Sequence, residues 1–88
     1  MNGTAAPGAT DSGRWIEAAE LRRMDGSRGA AWVACDGWVY DVSDSPEWRG
    51  ALHRGLHWAG QDLSAELSEA PHGKEAVARM PVVGRLRP

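Results

Sequence analysis

Residues 31–42 read AWVACDGWVYDV. Two runs rich in Trp, Val and Tyr, 31–35 and 38–42, are separated by Asp36 and Gly37 alone. Asp-Gly suits a two-residue type I′ turn, because both central positions need positive φ and Gly adopts it without steric cost. The stretch therefore predicts a β-hairpin, and its neighbours must supply whatever covers the apolar faces.

Upstream, 14–16 predicts a short strand, and 17–24, built of Ala, Leu, Glu and Arg, predicts a helix ended by Asp25-Gly26. Residues 1–13 are Gly, Ala, Thr, Ser and Pro without apolar periodicity, the composition of a disordered leader that precedes a domain at 14–88. Downstream, Pro46 suits the first helical position with Ser45 as cap, giving a short turn through Trp48 and Arg49. Leu52, Leu56 and Ala59 recur at helical spacing, which predicts a helix over 51–59. Further helices are expected over 62–67, with Asp62 as its cap, and over 73–80; Pro71 and Pro81 stop what precedes them. Residues 82–86 read as a strand that returns to the sheet. Strands, then short helices, then a last strand describe an α+β domain.

With 88 residues, 42% apolar, 25% charged and a net charge of −2, the chain has room for one small domain. It contains no run of roughly 20 apolar residues, and its start lacks the basic and apolar regions of a secretory signal, so no membrane span and a cytoplasmic location are expected. The near-neutral charge gives no electrostatic footprint for nucleic acid. One cysteine, Cys35, excludes a disulfide framework and a Cys-rich zinc or iron–sulfur site, and reads as a small buried hydrophobe. Five Trp and no Phe make the tryptophans the large core fillers.

The histidines carry the chemistry. His53, His57 and His72 fall within one twenty-residue window; on a helix, His53 and His57 at i and i+4 share a face. If Gly60 turns the chain, 51–59 and 62–69 form a helical hairpin, and His72 approaches its first arm. Imidazole suits zinc, copper and iron alike, so residue type does not choose the metal. Leu52, Leu56, Trp58, Leu63, Leu67, Val77 and Met80 on the same segments are more apolar than a four-ligand zinc site requires and about what a flat hydrophobic cofactor needs. Arg54 stands where a zinc protease helix carries its general base, which disfavours hydrolytic zinc chemistry. An isolated histidine is nonetheless more often structural than ligating, and Met80 and Tyr40 read as structural side chains.

Residues 38–43, WVYDVS, are similar to the "VYDVS" strand of the cytochrome b5-like haem/steroid-binding domain family. Residues 59–64, AGQDLS, resemble its "AGxDLT" turn, and 71–73, PHG, with 81–86, PVVGRL, resemble the ending of its small prokaryotic branch. The resemblance runs from Trp15 to Leu86. It implies a small mixed sheet with a β-hairpin and a cluster of short helices that form a haem pocket.

In that family one axial histidine lies thirteen residues after the Ala of the turn; counted from Ala59, this is His72. The other ligand departs from the family pattern, because "HPGG" is missing and the segment between Val42 and Ala59 is shortened. The membrane-associated progesterone-receptor branch is also changed there, with a tyrosine that can bind iron, but no tyrosine stands there in this chain. The side chains available are His53 and His57. Helical arms of comparable length favour His53, with His57 the alternative; the other would orient the ligand or a propionate. Arg49 and Arg54 are candidates to pair with propionates. The resemblance thus implies haem b, held without covalent linkage since no CxxCH is present. Bis-histidine ligation fills both axial positions, so an electron carrier with a redox protein partner is expected rather than an enzyme, and a monomer. A haem- or sterol-binding regulatory module without redox duty is the alternative. A fold this small gains much from a bound group, so the cofactor-free form is expected to be the looser one.

Overall fold

The Asp36-Gly37 turn forms as its chemistry dictates: Asp36 has φ 52° and Gly37 φ 86°, positive at both central positions. On either side, β2 (Trp32–Cys35) and β3 (Trp38–Asp41) pair antiparallel with Cys35 opposite Trp38 and Trp32 opposite Asp41. The computed structural model describes residues 14–45, 48, 52–53, 57–69 and 73–88; for Leu52, His53 and His57 it describes the backbone. The leader 1–13 lies outside the described residues.

β1 (Trp15–Ile16) pairs parallel with β6 (Val82–Leu86), and β6 pairs antiparallel with β3. The sheet order is β1-β6-β3-β2, so the last strand inserts between the first strand and the hairpin. The outer edge of β2 is covered by the turn at 60–63. The Gly60 and Ala34 amides donate to Trp32 and Gln61 carbonyls at 2.7 and 3.0 Å, and the Leu63 amide donates to the Ala34 carbonyl at 2.8 Å. This cover removes a free edge.

Alternation along the strands gives each face its own core. Trp32, Ala34, Val39 and Ile16 pack with Leu21 of α1 (Ala18–Arg23) on one face. Val33, Cys35, Tyr40, Val42 and Val82 face the other way, against Leu67 of α2 (Ser64–Ser68) and Val77 of α3 (Gly73–Ala78). α1 places Arg22 and Arg23 in its last turn, where cations suit the helix dipole.

One expectation is overturned. Instead of a helix over 51–59, the chain forms β4 (Leu52–His53) and β5 (His57–Trp58), an antiparallel pair with His53 opposite His57. The helical hairpin of 51–59 and 62–69 is therefore absent. A nine-residue segment is too short to hold a helix by itself, and Gly55 at its centre costs about 1 kcal/mol relative to Ala. A Gly within a three-residue connection between two short runs is instead a hairpin signal. Of the predicted turn after Pro46, Trp48 is described: its amide donates to the Ser45 carbonyl at 3.0 Å, and its side chain is buried.

Candidate functional site

The larger core cluster is the candidate cofactor wall. Leu63 and Leu67, both singled out in the sequence, are 2% and 0% exposed and lie in one cluster with Val42, Trp48, Val77 and Val82; Met80 packs against it, partly buried. α2 packs against α3 and against β2, so sheet and helices enclose the cluster together.

Its two ionisable groups are neutral at ordinary pH. Burial pushes the Cys35 thiol above its usual range, and the charge of Asp36 adds to the effect. Burial likewise pushes the Tyr40 hydroxyl up. An apolar wall suits a flat macrocycle with its polar edge elsewhere, so the described residues fit haem. Among the described residues no cluster of three His, Cys, Asp or Glu is placed to hold a metal ion by itself.

The tip of the β2–β3 hairpin fixes the starts of both helices. The Asp36 amide donates to Ser64 Oγ at 2.8 Å, Ser64 Oγ donates to Asp62 Oδ1 at 2.5 Å, and Lys74 Nζ donates to Asp36 Oδ1 at 3.0 Å. Asp62 Oδ1 also accepts the Ser64 amide at 3.0 Å. The N-cap of α2 is Leu63 and not Asp62 as expected, and Asp62 contributes from one residue further out by accepting the amide of Ser64, the first helical residue. Aspartate, serine and lysine hold in register the two helices that line the cluster.

The other sequence candidates divide into two groups. His53 and His57 are brought opposite one another by β4–β5, with Leu52 opposite Trp58. Cα atoms of opposed antiparallel residues are about 4.5–5.5 Å apart. The i, i+4 spacing that suggested one helical face thus yields a cross-strand pair, and the comparison of helical arm lengths that favoured His53 over His57 loses its premise. His72, Leu56, Arg49 and Arg54 lie outside the described residues; His72 directly precedes Gly73, the buried first residue of α3. Val42, Trp48, Ala59 and Val82 were not read as site residues. Alternation from Val33 to Tyr40 carries the signal for Val42, whereas nothing local distinguishes Trp48 from the other tryptophans.

A cleft of about 420 Å³ opens beside β5, lined by Arg22, Asp25, Ser27, Trp58 and Gln61 among others. Ser27 holds the Asp25 carboxyl below its usual range by hydrogen bonding. This cleft carries a cation and a carboxylate and contains none of Leu63, Leu67 or Val77, so it is a separate feature. Among the described residues no helix is long and apolar enough to cross a membrane.

Comparison with known proteins agrees with this architecture. Residues 17–87 match the family described as "Cytochrome b5-like Heme/Steroid binding domain". A Hadesarchaea YNP_N21 cytochrome b5 domain protein of known structure is similar at 47% identity and a TM-score of 0.77, the alignment covering 84% of this chain and 99% of that one. A Methanococcoides burtonii cytochrome b5 domain protein is similar at 36% identity with the same TM-score, covering 84% of this chain and 97% of that one. No curated protein gives a significant match. The four-stranded mixed sheet, the short helices and these matches agree with the α+β fold that the motifs implied, and the chain belongs to the cytochrome b5-like heme/steroid-binding domain family.

Proposed function

We propose that the domain binds haem b non-covalently against the Leu63–Leu67–Val77 wall, with His72 and one histidine of the β4–β5 pair as axial ligands, and serves as a cytoplasmic electron carrier. The observation that carries this reading is a buried apolar cluster whose members adjoin histidines in sequence: Ala59, in the cluster, directly follows β5, which carries His57 and pairs with His53, and His72 directly precedes α3, which contributes Val77. Haem supplies a one-electron iron couple when bound; the chain supplies two imidazoles, an apolar wall that excludes water, and Arg49 and Arg54 to pair the propionates. Two protein ligands leave iron no position for a substrate, which favours electron transfer over catalysis.

The test is spectroscopic. Purified protein reconstituted with hemin is expected to give a low-spin Soret band and sharp α and β bands on reduction. His72→Ala is expected to abolish the low-spin form. Of His53→Ala and His57→Ala, one is expected to convert it to high spin while the other shifts the spectrum slightly. A protein that takes up no hemin refutes the reading. Uptake with a high-spin spectrum indicates the alternative, a haem-binding module without bis-histidine ligation.

A further inference from the structure

A row of side chains crosses the sheet beside the β2–β3 hairpin tip. Trp15 is opposite Arg85 in β1–β6, Arg85 is opposite Trp38 in β6–β3, and Trp38 is opposite Cys35 in β3–β2. Opposed residues of neighbouring strands project from the same face. The Arg85 guanidinium carbon lies 4.9 Å from the Trp38 ring centroid and 5.7 Å from that of Trp15, and Arg87 approaches Trp15 at 5.2 Å. Cation and indole thus alternate along Arg87, Trp15, Arg85 and Trp38.

Three properties separate this row from ordinary surface. Trp15 is 44% exposed, and Arg85 is exposed as well. The neighbouring arginines are neutralised, Arg87 by Glu17 and Arg14 by Glu20, whereas Arg85 has no carboxylate partner among the described residues. Stacking also fixes the Arg85 side chain before anything binds, which lowers the ordering cost of an incoming group. Trp and Arg are the residue types that dominate binding hot spots, and a planar guanidinium takes a carboxylate in bidentate fashion.

We propose that this row docks a protein partner through a carboxylate-rich surface, one carboxylate seating on Arg85 between the two indoles. The charge balance supports that occupant. The chain as a whole carries −2, but along the β1–β6 edge Arg14 and Arg87 are neutralised by Glu20 and Glu17 and Arg85 is left as the cation without a carboxylate partner among the described residues; at the far end of the row Lys74 is likewise paired with Asp36. The site also has an inner side: Trp38 packs against the candidate cofactor cluster. A partner seated on Arg85 is therefore separated from that cluster by a single indole. The proposal stands on the sheet and does not depend on haem.

The test is a titration of the ¹⁵N-labelled protein with poly-L-glutamate at low ionic strength, followed by NMR. Saturable shifts are expected at the Trp15 and Trp38 indole N–H groups and the Arg85 and Arg87 amides, and they are expected to vanish in about 0.5 M salt through screening. Arg85→Gln is expected to weaken the interaction by about tenfold or more, the loss of a charge-assisted pair. Arg28→Gln, remote from the row, is expected to leave it unchanged. Arg85→Lys keeps the charge without the planar fork; it guards against a folding defect in the Gln variant and is expected to bind at an intermediate level. No binding, binding indifferent to Arg85, or shifts confined to other residues overturn the proposal and leave the row as a brace of the sheet.

Discussion

Gly84→Ala tests how the first strand is held. Gly84 has an ordinary backbone conformation, so the penalty is steric. A Cβ there collides with the Arg14 carbonyl oxygen and lies 3.1 and 3.2 Å from the Arg14 carbonyl carbon and Cβ. The first obstacle is backbone and cannot rotate away. That carbonyl accepts the Arg85 amide at 2.7 Å, and the Ile16 carbonyl accepts the Arg87 amide at 2.9 Å. If β1 shifts far enough to clear the carbonyl, overpacking costs about 1–3 kcal/mol. If β1 separates, two hydrogen bonds worth about 1 kcal/mol each are lost. Ile16, 0% exposed, also loses its burial, about 1.5–3 kcal/mol more.

The expected destabilisation is therefore about 1–3 kcal/mol if β1 shifts and about 3.5–5 kcal/mol if it separates, a large part of the roughly 4–11 kcal/mol available to some 75 residues. Urea unfolding followed by far-ultraviolet circular dichroism measures the loss, and a fall in Tm of roughly 5 °C or more should accompany it. Amide exchange places it: Arg85 and Arg87 should lose protection while Val33 and Tyr40 in the hairpin retain theirs relative to global unfolding. A variant within about 0.5 kcal/mol of the parent, with those two amides still protected, refutes the claim that Gly84 is required by the approach of Arg14.

Leu67→Ala removes a fully buried side chain from the cluster and is expected to cost about 2–5 kcal/mol in urea unfolding. Hemin at 1,000 times its dissociation constant is expected to add about 4 kcal/mol to the parent protein, and the variant should lose hemin faster to an acceptor such as apomyoglobin. Alkaline pH is expected to destabilise the domain. Burial raises the Cys35 and Tyr40 pKa values in the folded state, so the unfolded chain releases these protons first. The stabilisation is complete below the unfolded thiol range, about 8.5, and is lost as pH rises through the folded values. Tm should therefore fall from pH 8 to pH 11, and Cys35→Ala should flatten the first part of that fall; an unchanged profile refutes the assignment.

The parts of the fold that were legible are those whose signals are local. Asp36-Gly37 specifies a turn type, alternation from Val33 to Tyr40 specifies two faces, and Pro81 ends α3 before β6. The hairpin at 52–58 was not legible by the same means, because Leu52, Leu56 and Ala59 satisfy a helical period while Gly55 and Trp58 favour an extended chain. Periodicity cannot arbitrate over so short a run. What decides is tertiary: the 60–63 turn is hydrogen-bonded along β2, and this fixes where the chain leaving Trp58 must arrive. The pairing of Trp15, Arg85 and Trp38 was equally hidden, since it depends on β6 entering between β1 and β3.

The change from helix to hairpin alters what the histidine spacing means. On a helix, residues four apart are stacked along one face at different heights, so only one of His53 and His57 would suit a ligand position and arm length would choose it. In β4–β5 they occupy the same rung. Arm length no longer discriminates between them. The hairpin-tip clamp made by Asp36, Ser64 and Lys74 sets α3 relative to the sheet. On the proposed ligation, spacing within the 53–57 segment cannot by itself specify which of the two histidines pairs with His72.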